Sequence, residues 1–201
     1  MNVQEATTRR LPDLKERHLP ENCRETINTI LKETYGYEQF RNLEIYDDLS
    51  KGKEKLCISQ GQLIENVILE AEKAWKGETQ VDNILLTAPT GSGKSLLFQL
   101  PAIYLGKEYN LLTIVVSPLK ALIVDQVESL QELGYMRVAY ASSDLSPEQK
   151  MEVYRQVREG EIDLFYLSPE LLLSYDIKHF VGERRIGLVV VDEAHTVTTW
   201  G

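Results

Sequence analysis

The sequence predicts an α/β chain, a doubly wound parallel sheet behind a mostly helical N-terminal extension. Three observations carry this reading. From Asn83 onward, short aliphatic runs alternate with amphipathic segments, the pattern of strand–helix–strand units wound around a parallel sheet. Gly187–Val191 is aliphatic throughout, as in strands of such a sheet that are buried on both faces. Ala88–Ser95 is a glycine-containing turn between an apolar run and the start of a helix, which is the setting of a phosphate-binding loop. The expected division is an extension over 1–82 and an α/β part over 83–201.

In the extension, Glu21–Thr34 reads as a helix that stops at Gly36, a suitable C-cap. Gln62–Lys76 carries Leu63, Val67 and Ala71 beside Ile64, Ile68 and Trp75 at helical spacing, and stops at Gly77. Between them, Asp47–Lys55 is charged and reads as a solvated loop. In the α/β part, Ile84–Thr87, Leu112–Val116, Arg137–Tyr140, Leu164–Tyr166 and Leu188–Val191 read as strands. Lys94–Leu105, Leu119–Leu133, Pro147–Gly160 and Pro169–Tyr175 read as helices. A sheet of this kind binds ligands at the carboxyl ends of its strands.

The 201 residues are 43% hydrophobic, enough for one good core plus an appendage. A net charge of −9 excludes a bulk polycation that coats nucleic acid, so any nucleic-acid surface has to be local. No apolar run approaches the ~20 residues of a membrane span, and the polar N-terminus lacks a signal-peptide pattern. Cys23 and Cys57 have no metal-type spacing and read as reduced thiols. The chain reads as cytosolic.

The turn has the chemistry of phosphate binding. Gly91 and Gly93 permit left-handed backbone angles and close approach of the main chain to a ligand, and Pro89, Thr90 and Ser92 complete the loop. N–H groups at the N-terminus of the following helix favour an anion. Lys94 is set to reach the outer phosphates and the Ser95 hydroxyl to ligate Mg²⁺. Ala88 stands where such loops usually have their first glycine. The aliphatic run near the C-terminus ends in Asp192-Glu193-Ala194-His195. A carboxylate at a strand tip suits Mg²⁺ that bridges phosphates, so Asp192 joins Ser95 as the metal candidate. Glu193 is placed to orient or deprotonate an attacking water, and His195 to sense the γ-phosphate. The plain alternatives are a turn between core elements and a core strand that runs into an acidic surface turn.

At these residues the chain resembles a known family. The Ala-x-Thr-Gly-Ser-Gly-Lys-Ser loop at 88–95 with Asp-Glu-Ala-His at 192–195 resembles superfamily 2 helicases of the DEAH-box type. The segments between narrow the resemblance to RecQ-like DNA helicases. Ser117–Val127 is similar to that family's motif Ia and Tyr166–Leu171 to its motif Ic. Trp200-Gly201 is similar to the start of its aromatic-rich loop, and Tyr35–Arg41 to its motif 0. The resemblance is close from Asn83 to Gly201, patchy over 21–82, and absent before that. It implies a RecA-like lobe of a P-loop NTPase, with ATP and Mg²⁺ as cofactors and Lys94, Asp192, Glu193 and His195 as catalytic residues.

In this family an aromatic–arginine pair followed closely by a glutamine recognises adenine. Tyr37, Phe40 and Arg41 supply the pair, but the glutamine comes only at Ser59-Gln60-Gly61-Gln62, which reads as an insertion of 42–58 that splits the motif. Gln62 is the expected reader rather than Gln60, from its spacing to the helix start. The alternative is that Phe40 is core and the glutamines are exposed helix-start residues.

Nucleic-acid contacts are expected where strands end. Ser117-Pro118 opens a helix whose free N–H groups suit a phosphate, and Lys120 adds a charge. Ser142 and Ser168 also follow strands and would share the same sheet edge, so three loops could track backbone phosphates without reading bases. Trp200 could stack a base. Each serine is equally well explained as a helix N-cap. Leu171 stands where the family often has a basic residue, and the segment around Ser142 lacks the family's asparagine.

The resemblance implies the N-terminal ATP-binding lobe of an ATP-dependent DNA helicase acting on single-stranded or junction DNA. Its location would be cytoplasmic and nucleoid-associated in a bacterium, or nuclear in a eukaryote. The family hydrolyses ATP between two RecA-like lobes, and the second lobe with its arginine finger is missing from this chain, so the chain alone is expected to be weakly active or inactive. Two other classes stay open. One is a nucleic-acid translocase or remodeller that does not unwind duplex, including an RNA helicase or defence-system motor. The other is a partner-docking module in 1–82 carried on an ATP-gated lobe.

Overall fold

The computed structural model describes residues 17–46, 55–86 and 91–194. The chain folds as two compact units, Met1–Pro101 and Ala102–Gly201.

In the first unit, α1 (Glu21–Tyr35) buries Ile27, Ile30 and Leu31, one face at helical spacing, and ends at Gly36. The next two elements differ from expectation. The segment read as an inserted, charged connection holds a hairpin: β1 (Asn42–Tyr46) pairs antiparallel with β2 (Lys55–Ser59), from Asn42↔Ser59 to Tyr46↔Lys55. Leu43 and Ile58 face each other and are buried, while Glu44 and Cys57, also opposite each other, are exposed. That is strand alternation, too short beside so many charges to register as a period. Residues 47–54 lie outside the described residues. The extension thus carries a two-stranded sheet that a mostly helical reading does not anticipate.

α2 (Gln60–Trp75) starts at Ser59, whose hydroxyl accepts from the Gly61 N–H at 3.2 Å. It buries Leu63, Ile64, Ile68 and Ala71 together with Glu70. Burial pushes the Glu70 carboxyl up, but hydrogen bonds from the Asp82 N–H, Lys73 and Arg17 outweigh it and hold the group below the usual carboxylate range.

Ile84–Thr87, expected as a buried strand, is not one. Residues 84–86 have no regular structure, Leu85 is 85% exposed, and Thr87 lies outside the described residues. An aliphatic run becomes a strand only where a neighbour pairs with it, and no described strand does. α3 (Leu96–Tyr109) is buried over 96–106 and runs through the boundary between the units.

The second unit alternates strand and helix: β3 (Leu112–Val116), α4 (Lys120–Glu132), β4 (Val138–Ala141), α5 (Pro147–Arg158), β5 (Leu164–Leu167), α6 (Pro169–Ser174), α7 (Ile177–Val181) and β6 (Ile186–Val191). The strands form one sheet in the order β4-β5-β3-β6, every pair parallel. β3 and β5 are buried at every residue. Successive β5 residues face opposite ways. Phe165 packs on Tyr154 of α5 and Phe180 of α7, with ring centroids 6.4 and 6.5 Å away, whereas the Tyr166 hydroxyl meets Gln126 of α4 at 2.9 Å. Helices therefore cover both faces, as expected of a doubly wound sheet. β6 corrects one expectation: it is an edge strand paired with β3 alone among the described strands, with Val189 58% and Val191 47% exposed, not a strand buried on both faces. No helix among the described residues is long and apolar enough to cross a membrane.

Asp163, just before β5 and 2% exposed, gathers a charged cluster. Its carboxylate accepts from Arg137 Nε and Nη2 at 2.6 and 2.8 Å, from Arg184 Nη2 at 2.9 Å and from the Tyr135 hydroxyl at 3.2 Å. Burial pulls the Arg184 guanidinium below its ordinary pKa, and the hydrogen bond to Asp163 opposes that pull. Asp163→Asn leaves Arg184 buried without its counter-charge. The expected loss of unfolding free energy in a urea titration is about 3–5 kcal/mol; a loss under roughly 1 kcal/mol would class the cluster with ordinary surface pairs.

Candidate functional site

In the first unit, the turn before α3 has Gly91 at φ 80° and Gly93 at φ 79°, angles that side chains rarely adopt. A β-carbon on Gly93 would also sit 2.8 Å from the Gln60 amide nitrogen. The Ser92 hydroxyl oxygen is buried and has no hydrogen-bond partner among the described residues. Lys94 and Ser95 are half-buried. A turn with two left-handed residues and an orphaned buried hydroxyl fits an anionic ligand. Pro89 and Thr90 lie outside the described residues.

The hairpin organises what stands beside this turn. Because β1 and β2 pair back to Asn42↔Ser59, Arg41 and Gln60 emerge side by side. The Gln60 N–H donates to the Arg41 carbonyl at 2.9 Å, and the Arg41 N–H donates to the Gln60 side-chain oxygen at 3.2 Å. The Gln60 amide nitrogen then donates to the Ser92 carbonyl at 3.2 Å. Arg41 is thereby bonded to Gln60, two positions before the expected Gln62. Gln62 donates instead to the Arg17 carbonyl at 2.7 Å. About half a turn of helix separates the two side chains, so positions 60 and 62 point to different sides. The Phe40 ring lies against Gly61, where a β-carbon would meet its Cδ2 at 2.6 Å, so Phe40 packs the helix start. Tyr37 is 47% exposed, and the Arg41 guanidinium stands 5.8 Å from its ring centroid. These two present an open stacking surface.

In the second unit, all four strands end at one edge, in the order Ser142, Ser168, Ser117, Asp192 along the sheet. Ser117 is fully buried and Ser168 is 1% exposed, and both hydroxyl oxygens lack a partner among the described residues. Ser168 occupies the N-cap of α6 but makes no side-chain cap bond, so capping does not account for its hydroxyl. The Ser142 hydroxyl accepts from the Asp144 N–H at 3.4 Å. Pro118 is half-buried at the turn into α4. Lys120, the first residue of α4, donates to the Ser143 hydroxyl at 2.6 Å and to Asp144 at 2.8 Å. The Lys120 hydrogen bond holds the Asp144 carboxyl below its ordinary pKa. The sequence reading did not include Asp144, whose acid next to two serines carries no signal until Lys120 is seen opposite.

The Asp192 N–H extends the β6 ladder to the Val116 carbonyl at 2.9 Å. Asp192 Oδ1 accepts from the Glu193 N–H at 2.9 Å, and Oδ2 from the Gln126 amide at 3.2 Å. Glu193 has φ 51°, a strained angle for a residue with a β-carbon. Among the described residues no three metal-ligating side chains cluster. A single carboxylate suits Mg²⁺, which keeps waters and takes the rest of its ligands from phosphates. His195 and Trp200 lie outside the described residues.

The profile of the DEAD/DEAH box helicase family matches residues 62–201. The chain is 30% identical to the ATP-dependent DNA helicase RecQ of Haemophilus influenzae over 88% of its own length and 23% of that protein's. It is 33% identical to RecQ of Synechocystis, covering 89% of this chain and 31% of the relative, and 32% identical to RecQ of Bacillus subtilis, covering 86% and 24%. The chain spans less than a third of each of these relatives. The parallel sheet with helices on both faces is the RecA-like α/β fold.

Gln60 is 3% exposed and serves both the Arg41 N–H and the Ser92 carbonyl. Gln60→Leu leaves both main-chain groups without that partner. The expected cost is about 1–3 kcal/mol of unfolding free energy, and a urea midpoint equal to the parent's would remove Gln60 as the link between hairpin and turn.

Proposed function

The chain belongs to the DEAD/DEAH box helicase family, and from that premise we propose that it is the ATP-binding lobe of a RecQ-like, ATP-dependent DNA helicase, which holds ATP–Mg²⁺ and tracks the backbone of single-stranded DNA. The observation that carries this reading is the row of polar groups at one sheet edge. Ser142, Ser168, Ser117 and Asp192 end neighbouring parallel strands, and the hydroxyls of Ser117 and Ser168 are buried with no hydrogen-bond partner among the described residues.

On the nucleotide side, the left-handed turn at Gly91 and Gly93 lets main-chain amides face a phosphate chain, and the Ser92 hydroxyl has bonding capacity to offer. Lys94 neutralises charge on the outer phosphates. Ser95 and Asp192 are the residues that would hold Mg²⁺, which would offset the negative charge that builds on the phosphates. Glu193 orients the attacking water and takes its proton, and His195 senses the γ-phosphate. The adenine stacks on the Tyr37–Arg41 surface beside Phe40, with a glutamine at the start of α2, Gln62 or Gln60, as the amide that reads its edge.

On the DNA side, serine hydroxyls donate to phosphate oxygens, and Trp200 stacks a base. Lys120 is held by Asp144 until a phosphate competes for it. Such contacts carry no sequence information, which suits a motor that has to move along any strand.

In the full-length protein, Lys94→Ala abolishes ATP binding, and Glu193→Gln retains binding but loses hydrolysis. Calorimetry that finds unchanged ATP affinity in the lysine variant sinks the phosphate-loop assignment. Robust single-strand-stimulated hydrolysis without strand separation would replace the helicase with a translocase. Lys120→Ala lowers affinity for all single-strand sequences alike and flattens the salt dependence by about one unit of log–log slope. Asp144→Asn, which frees Lys120, raises that affinity; equal affinities across the three proteins would take Lys120 off the DNA path.

A further inference from the structure

Gln126 has no role in the chemistry described so far, yet it is 9% exposed and touches the carboxylate on which the metal reading rests. It lies on α4, the helix that begins just after Ser117-Pro118 and bears Lys120 at its first residue. Its amide nitrogen donates to Asp192 Oδ2 at 3.2 Å, and its amide oxygen accepts from the Tyr166 hydroxyl at 2.9 Å. Tyr166 is fully buried in β5, two positions before Ser168.

The polarity of this chain of bonds is set by chemistry. An ionised carboxylate can only accept, so Asp192 draws the NH₂ end of the amide toward itself. The carbonyl end is then left for a donor, and the buried phenol supplies it. Remove the phenol and the amide loses the group that fixes its orientation; a flipped amide would turn an oxygen on Asp192 and repel it. The other carboxylate oxygen, Oδ1, accepts from the adjacent Glu193 N–H. Outer groups of this kind orient a metal ligand and keep it available.

We propose that Gln126 is a positioning residue for Asp192: locked by Tyr166, it fixes one oxygen of the metal-binding carboxylate and ties it to the two strand ends that carry Ser117 and Ser168. The inference rests on the reading of Asp192 as the Mg²⁺ ligand. It makes α4 and β5 a mechanical path, because a shift of either strand end changes the hold on Asp192. A phosphate that engages Ser117, Lys120 or Ser168 therefore reaches the metal site through two hydrogen bonds.

The test is a Mg²⁺ titration of fluorescent-ATP binding by the full-length protein, beside the same affinity measured in EDTA. Gln126→Leu and Tyr166→Phe are expected to raise the half-saturating Mg²⁺ about tenfold and to leave the EDTA affinity unchanged. Gln126→Glu, which offers an acceptor where a donor is needed, moves Mg²⁺ dependence in the same direction and covers the case in which the leucine variant does not fold. Asp192→Asn is the reference. If it raises the Mg²⁺ requirement while the Gln126 and Tyr166 variants keep the parent's value, the positioning role is overturned alone. Equal losses with and without Mg²⁺ overturn it too, since they mark a structural defect. If Asp192→Asn leaves the Mg²⁺ requirement unchanged, the metal assignment falls and this inference with it.

Discussion

Parallel strand pairing is the constraint on which the second unit rests. A parallel ladder sends every strand out of the sheet at the same edge, and the chain has to return through a helix to start again. Four segments far apart in sequence, at 117, 142, 168 and 192, are therefore gathered in one row. The fully buried β3 and β5 hold the row straight, since neither face of those strands tolerates a slip in register.

Two sets of buried polar side chains in that unit differ in how they are paired. Beside the start of β5, Asp163 receives four hydrogen bonds from Arg137, Arg184 and Tyr135. At the far edge, the hydroxyls of Ser117 and Ser168 receive none from the described residues. A buried hydroxyl left unpaired costs about 1–3 kcal/mol, and folding by itself gains nothing from keeping two in a row. The Asp163 cluster reads as a fastening of the unit, and the two serines as groups that meet a ligand.

Legibility in the sequence followed how local the causes were. The core strands β3 and β5 were readable because short, largely apolar runs flanked by helices leave few other outcomes. α5 announced itself through Ser146, Pro147 and Gln149, which form a capping box with proline at the helix start. The glycine turn at 91–95 was readable because left-handed angles demand glycine. Ile84 and Leu85 misled, since hydrophobicity predicts a strand but not whether a partner lies alongside. β6 misled in the same way, as an aliphatic run that stands at an edge. Gln126 could not be found at all: its partners Tyr166 and Asp192 are 40 and 66 residues away, and a glutamine on a helix has no local mark of either. The bonding of Arg41 to Gln60 turned on an unrecognised hairpin, which decides the helix start.

That hairpin has a further consequence. Arg41 and Gln60 are 19 residues apart in the chain, yet two reciprocal hydrogen bonds tie them as closely as sequence neighbours. Closing a longer loop costs only logarithmically more entropy. Paired residues can thus be gained or lost between the two anchors while the anchors themselves stay put. The chain has, right beside its most constrained turn, a stretch in which length is free to drift over evolutionary time.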